Sequence, residues 1–431
     1  MEAMSGPRMR SLDDVVVTGR TVILRPDINS PIDIQTRKII NTNRLEKAIP
    51  TLKYLLDHGA KVAIIAHQGD TMDYQNLIPM AEHAEILSTL SGYRVEYIDD
   101  VCGPAAQDRI KALKEGEAIL LGNLRYLGEE LTAFEKEVKL TPTEMLDTWL
   151  VRSLAPLADL YVNDAFAAAH RSAPSMVAFQ EVMETVGGRQ LFGEYEALSK
   201  IASAPIHPCV FFLGGGKISD AFSMMRNVLT NGKADRILTG GITADVMLLA
   251  SGVELGVRTR TFLAERDLTG FIAQAKELLQ TWPDRFLLPV DCAYERDGER
   301  AEATTDEIAR AAELQQHLFV DLGEQTIASY VGEIERAGSV FVNGPAGIYE
   351  DARFERGTEK IWQAIASAPG YTVVGGGDTI TAAKRFTTLD DFSYVCTAGG
   401  AMIRFLSGKK MPLIEAMERA WERDRAQKEK Q

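Results

Sequence analysis

Short apolar, β-branched runs alternate along this chain with longer stretches of helical periodicity, and each run ends in or beside Gly, Asp, Asn or His before the next helix begins. Runs of that length followed by amphipathic stretches predict mainly parallel strands joined by crossover helices. In the first half the predicted strands are 21–25, 61–67, 94–99, 117–123 and 160–164; in the second they are 209–214, 236–240, 286–291, 339–344 and 371–375. Neither set repeats at a fixed short period, which argues against a solenoid.

About five strands per half fit two sheets better than one very wide one, since sheets usually hold about four to six strands. The fold expected is therefore α/β, with two doubly wound, mainly parallel-sheet, Rossmann-like domains joined by a hinge helix. Val186-Gly187-Gly188 reads as a break, Leu191 to Ser203 as a helix, and Ala204-Pro205-Ile206-His207-Pro208 as its end. The expected division is 1–188, a hinge helix within 189–206, a second domain over 207–395, and a terminal segment 396–431 that packs back toward the first domain. Pro412 to Gln431 reads as a charged amphipathic helix.

Composition narrows the function. The 431 residues carry a formal net charge of -14, which excludes a general nucleic-acid coat and an anionic membrane surface as partners by like-charge repulsion. An anionic substrate would need a local cationic pocket. Cys102, Cys209, Cys292 and Cys396 show no metal spacing and read as small buried hydrophobes in a reducing compartment. Met1 to Arg10 has no apolar run, and nowhere does the chain reach the roughly 18 apolar residues needed to span a bilayer, so a cytoplasmic protein is expected. A monomer is the expected state, with a homodimer as the alternative.

Ligands of open parallel sheets bind beyond the carboxyl ends of the strands. There the first half offers Arg25, Asp27, Asn29, His67, Arg125, Asn163, Asp164, His170 and Arg171, cations and hydrogen-bonding groups suited to a small phosphorylated acid. The second half offers Gly214-Gly215-Gly216-Lys217, Gly240-Gly241, Asn343-Gly344-Pro345, Gly375-Gly376-Gly377-Asp378-Thr379 and Ala398-Gly399-Gly400-Ala401. Glycine lets main-chain N–H groups approach phosphates closely, which suits a nucleotide. On spacing alone His67 reads equally well as a satisfied core histidine, and Asn163-Asp164 as turn chemistry. A P-loop is excluded by Phe211 and Ile218, a dinucleotide GxGxxG by Ile380, and a protein kinase by the absence of HRD and DFG.

Taken in order, LRPDINSP from Leu24, AHQG from Ala66, LLGNLRY from Leu120, YVNDAFAAAHRSAPS from Tyr161, FFLGGGKISD from Phe211, LPVD from Leu288, VNGPAGIYE from Val342, GGGDT from Gly375 and TAGGA followed by LSGKKMP resemble the phosphoglycerate kinase family from about Val15 to Met417. AHQ and the VNGPAG wording are similar to its archaeal branch. The resemblance implies an acid site of Asp27, Asn29, Arg44, His67, Arg125 and Arg171 for 3-phosphoglycerate. It implies a nucleotide site for ATP or ADP of Gly214, Gly215, Gly216, Lys217, Asn343, Glu350 (toward the ribose), Gly375, Gly376, Gly377, Asp378 and Thr379. Arg25, Lys217 and Asp378 are implied as the catalytic groups, with Asp378 beside magnesium and the nucleotide phosphates. The first domain would then take the acid and the second the nucleotide.

Departures from the family pattern are Asp70 in place of an arginine, Ala221 in place of a second lysine, Ala398 in place of glycine and Gly122 in place of a common Glu. They keep two other readings in view. One is a related kinase for another anionic carboxylic acid; the other is a nucleotide-binding regulatory protein without turnover.

Overall fold

The computed structural model describes residues 8–69 and 76–429. The chain forms two compact units, one comprising the described residues up to Glu196 together with Lys410 onward, the other Ala197–Lys409.

The first unit is built on a sheet of β1 (Thr21–Pro26), β2 (Lys61–Ile64), β3 (Val95–Tyr97), β4 (Ala118–Leu120), β5 (Leu160–Asp164) and β6 (Thr185–Gly187), in the spatial order β3-β4-β2-β1-β5-β6 and parallel throughout. Its central strands are covered on both faces, so they read as continuous apolar runs; Val22, Ile23, Leu24, Val62 and Ile64 are all buried. The Asn43–Asp57 helix lays Leu45, Ala48, Leu52, Leu55 and Leu56 on the sheet at the spacing of one helical face. Each such leucine contributes about 1.5–3 kcal/mol on burial. The Pro412–Lys428 helix completes this unit: Leu413 N–H donates to Ala169 O at 3.1 Å and Arg423 Nη2 to Met183 O at 2.9 Å.

The second unit holds β7 (Cys209–Leu213), β8 (Arg236–Thr239), β9 (Phe286–Leu287), β10 (Asp291–Arg296), β11 (Glu299–Thr304), β12 (Phe319–Leu322), β13 (Ser339–Asn343), β14 (Tyr371–Gly375) and β15 (Tyr394–Cys396). A parallel sheet runs β15-β14-β13-β7-β8-β9. Phe212 meets Tyr330 and Trp362 edge-on at its core, with ring centroids 6.3 and 5.9 Å apart.

Structure and sequence expectation differ in three places. Val186-Gly187 is not a break but part of the edge strand β6, where Val186 pairs with Val162. The predicted strand 286–291 divides into β9 and the start of β10, which turns through Asp297-Gly298, both at positive φ, into β11. With β12 these form a separate antiparallel sheet, β11-β10-β12. The third difference is β15, which adds an edge beyond the last predicted strand. All four cysteines are free and buried, and burial pushes the Cys102 and Cys209 thiols up to about 12.

Candidate active site

In the first unit β1 lies between β2 and β5, so the chain leaves β1 toward one edge of the sheet and returns past it toward the other. The crevice at such a reversal is where open parallel sheets bind ligands. Arg25, near the end of β1, is only 2% exposed. Its Nη1 donates to Pro26 O at 2.7 Å, its Nε to Ser175 Oγ at 3.3 Å, and its Nη2 lies 3.0 Å from His67 Nδ1.

A guanidinium can only donate, so His67 Nδ1 is the acceptor and the ring's proton sits on Nε2. Burial, followed by the charges of Arg25, Arg125, Arg171 and Arg44, holds the His67 imidazole well below its ordinary pKa. His67 is thus a neutral hydrogen-bonding group within a cluster of arginines.

The charges of three further candidates, Arg44, Arg125 and Arg171, act on it, and each candidate is anchored in its own way. Arg44 Nη1 pairs with Asp27 Oδ2 at 2.7 Å, and Asn29 Oδ1 accepts from Gly69 N at 3.0 Å. Arg125 is buried and donates through Nη1 to Glu130 O at 2.5 Å. Arg171 Nε pairs with Glu135 Oε2 at 2.8 Å; its Nη2 is buried without a hydrogen-bond partner among the described residues. The Glu135 grip on the Nε edge therefore leaves Nη2 of Arg171 for another anion. Asp164 faces elsewhere: its Oδ1 accepts from Leu191 N at 2.9 Å at the start of the Arg189–Ser203 helix, and burial raises its carboxyl to about 7. Asp70 lies outside the described residues.

Several polar residues in this region carried no signal in the sequence reading. Glu130 is buried and accepts from both donors of Ser175, N–H at 2.6 Å and Oγ–H at 2.7 Å. Burial raises the Glu130 pKa, while Ser175 and the charges of Arg25 and Arg125 oppose the rise. Gln68 is a second hub. Its Oε1 accepts from Ser30 N at 2.8 Å and from His83 Nε2 at 3.0 Å, its Nε2 donates to Ser30 O at 2.9 Å, and its backbone exchanges bonds with the Asn123 side chain at 3.0 and 2.9 Å. These bonds set the loop carrying Asp27 and Asn29 and the turn carrying Arg125. Only the ordered motif itself, AHQ followed by GNLR, could have pointed to Gln68 and Asn123.

In the second unit the reversal falls at β7, which lies between β8 and β13. There Gly214 N donates to Asn343 O at 2.9 Å and Gly215 N to Pro345 O at 2.8 Å. A Cβ on Gly214 would stand 2.2 Å from Pro345 O, and one on Gly344, whose φ is +84, would stand 2.2 Å from Gly214 O. The two loops thus interlock backbone to backbone, a packing that glycine alone permits. Asn343 Nδ2 donates to Gly375 O at 2.7 Å, and Gly344 N to Thr379 Oγ1 at 2.7 Å.

Thr379 is buried in that lock rather than facing ligand space. Lys217, Asp378 and Glu350 are exposed. Lys217 caps the Ile218–Thr230 helix and Asp378 stands in the first turn of the Gly377–Phe386 helix. A Cβ at Gly377 would meet nothing within 4 Å. A helix N-terminus that begins in exposed residues, with a glycine first, suits an anion such as phosphate.

A family profile described as "Phosphoglycerate kinase" matches residues 12–409. The chain belongs to the phosphoglycerate kinase family. The phosphoglycerate kinase of Methanothermus fervidus is 38% identical over 413 residues, covering 96% of this chain and 98% of the relative. That of Methanopyrus kandleri is 40% identical over 410 residues, covering 94% and 97%. Among solved structures, the phosphoglycerate kinase of Pyrococcus horikoshii OT3 superposes with a TM-score of 0.80 at 36% identity, covering 96% of this chain and 100% of the other. That of Coxiella burnetii also gives 0.80, at 29% identity, covering 95% and 99%.

Family membership makes this chain a phosphotransferase of glycolytic type, and it favours neither the non-catalytic reading nor a different acid. Two departures from the family pattern have local explanations. Ala221 is 3% exposed on the inner face of its helix, and Gly122 sits so close to Asp100 and Val101 that a Cβ would meet backbone at 3.1 Å. Among the described residues no group of three or more His, Cys, Asp or Glu could enclose a metal ion. A lone exposed carboxylate, Asp378, fits a magnesium ion that keeps its waters and is held chiefly by nucleotide phosphates. No helix among the described residues is long and apolar enough to cross a membrane.

Proposed function

We propose that this chain moves a phosphoryl group reversibly between ATP/ADP and the carboxylate of 3-phosphoglycerate, with magnesium accompanying the nucleotide. The observation that supports this acid is a buried histidine in contact with Arg25 at 3.0 Å and within the field of Arg44, Arg125 and Arg171, in a chain of net charge -14. Such a cluster attracts a small substrate bearing both phosphate and carboxylate.

In this reading Asp27, Asn29, Arg44, His67, Arg125 and Arg171 hold the acid. Gly214 to Gly216, Asn343, Glu350 and Gly375 to Gly377 hold the nucleotide, and Thr379 fixes the loop that carries Asp378. The acid's carboxylate is ionised at pH 7, because carboxyl pKa values lie near 4, so its oxygen attacks the terminal phosphorus without a general base. The bond to the bridging oxygen breaks and its electron pair leaves with ADP. Lys217 and Arg25 stabilise the negative charge that spreads over the transferring group. Asp378, together with the nucleotide phosphates, would hold magnesium, which when bound would supply neutralisation of the nucleotide charge.

Acid and nucleotide are assigned to different units, so we place the hinge at residues 189–206; compaction in small-angle scattering with both substrates bound tests it. The enzyme of this reading is cytoplasmic and monomeric, and sedimentation checks the monomer. The decisive experiment is a coupled assay with ATP, magnesium and 3-phosphoglycerate. Turnover is expected, and Lys217→Ala should abolish it while ADP still binds. Nucleotide binding with no turnover on this acid would overturn the reading.

A further inference from the structure

We propose that Glu130 and Ser175 are a buried positioning pair that fixes the Arg25 guanidinium for phosphoryl transfer. The inference rests on the catalytic reading of Arg25 given above.

The direction of each hydrogen bond follows from chemistry. The Glu130 carboxylate in its ionised form can only accept, and it takes the Ser175 N–H at 2.6 Å and the Ser175 Oγ–H at 2.7 Å. The serine's single hydroxyl proton is thereby committed, so its lone pairs face Arg25 Nε, which donates at 3.3 Å. Reversing the hydroxyl would aim its proton at a guanidinium that cannot accept. Glu130 thus dictates which way Ser175 points, and Ser175 holds the Nε edge of Arg25.

The other edges of Arg25 are held by Pro26 O at 2.7 Å and His67 Nδ1 at 3.0 Å. Each side of the planar group therefore has an acceptor. With 2% of Arg25 exposed, bulk water takes no part in orienting it. A buried guanidinium without a nearby countercharge would be strongly destabilising, and Glu130 supplies one. Glu130 also reaches the other buried cation, since its main-chain carbonyl accepts from Arg125 Nη1 at 2.5 Å. The short turn Gly128–Glu130 thus sets two arginines at once, one through a side chain and one through the backbone.

A transferring phosphoryl group is stabilised only by charges already in place, and a misplacement of about 1 Å can cost on the order of 100-fold in rate. Ser175→Ala, which removes only the bridging oxygen, should therefore lower kcat by about 10- to 100-fold. KM for 3-phosphoglycerate and for MgATP should stay within about twofold, because the groups assigned to binding are untouched. Ser175→Thr, which restores the hydroxyl, should recover most of the loss. Glu130→Gln turns an amide N–H toward Ser175 Oγ in place of an acceptor, and should reproduce the kcat defect; it serves where Ser175→Ala does not fold.

A second readout does not depend on turnover. In arginine-labelled protein the Arg25 Nε–H resonance, assigned by its absence from Arg25→Lys, should exchange slowly with solvent in the wild type and quickly in Ser175→Ala. An unchanged resonance, or equal losses in kcat and affinity without rescue by threonine, overturns the positioning role. If the wild type itself fails to turn over, the proposed function falls, while the resonance still decides whether the pair holds Arg25.

Discussion

Arg25 Nη2 and His67 Nδ1 meet at 3.0 Å, and because the arginine can only donate, the histidine is fixed as a neutral acceptor on that side. Nitrogen NMR of His67 should show Nδ1 bare and Nε2 protonated, unchanged between pH 8 and pH 5.5. The native imidazole refuses a proton that the unfolded chain accepts near pH 6.5. The unfolded state therefore binds more protons below that pH, and the His67 contribution to stability, complete above about pH 6.5, is lost as the pH falls. A His67 signal that titrates with a midpoint near 6.5 in the folded protein would contradict this.

Gln68 satisfies Ser30, His83 and Asn123 inside the first unit. Gln68→Ala should cost about 2–4 kcal/mol in urea unfolding, since it leaves buried donors and acceptors unpaired. It should also weaken acid binding by loosening the loop of Asp27 and Asn29. A loss under about 0.5 kcal/mol would mean that water replaces the amide fully.

His83 shares that network, and burial lowers its imidazole to about 4. Its share of stability is present above about pH 6.5 and disappears as the pH falls toward 4. His83→Gln, which does not titrate, should flatten the fall of stability over this window, as read from urea midpoints at pH 7, 5.5 and 4.5.

Asp245 gives the opposite slope. It is buried on the Gly241–Ser251 helix, and burial raises its carboxyl to about 8. The native group keeps a proton that the unfolded chain releases near pH 4, so the native state binds more protons and stability falls as the pH rises from about 4 to 8. Asp245→Asn should gain stability relative to wild type with rising pH, with the largest gain at pH 8 and above. An equal difference at pH 5 and pH 8.5 in thermal unfolding would refute the assignment.

Arg171 gives up its Nε edge to Glu135, and its Nη2 has no hydrogen-bond partner among the described residues. Arg171→Lys retains the charge but not the planar fork, and should raise KM for 3-phosphoglycerate by about 10- to 100-fold. The ADP dissociation constant, measured by calorimetry, should not move.

Much of the fold was legible because its central strands are buried on both faces and so stand out as apolar runs: β5 and β14 fall where the sequence puts them. What escaped notice lacked that contrast. β6 is an edge strand of three residues ending in glycine, and β11 reads Glu-Arg-Ala-Glu-Ala-Thr, with polar residues at most positions. The Asp297-Gly298 pair was a hairpin signal available in the sequence. In the site, Arg25, His67, Arg125 and Arg171 were legible because they follow strand ends. Glu130 and Ser175 were not, because they are 45 residues apart and meet only through tertiary packing.

The interlock of Gly214 with Gly344 has a bearing on how this protein can evolve. A side chain on Gly344 would run into Gly214 O, and one on Gly214 into Pro345 O and Gly344 O. Neither loop can drift alone, so any lineage that alters one must rebuild both, and mutational tolerance should drop to near zero at this pair while neighbouring surface positions vary freely.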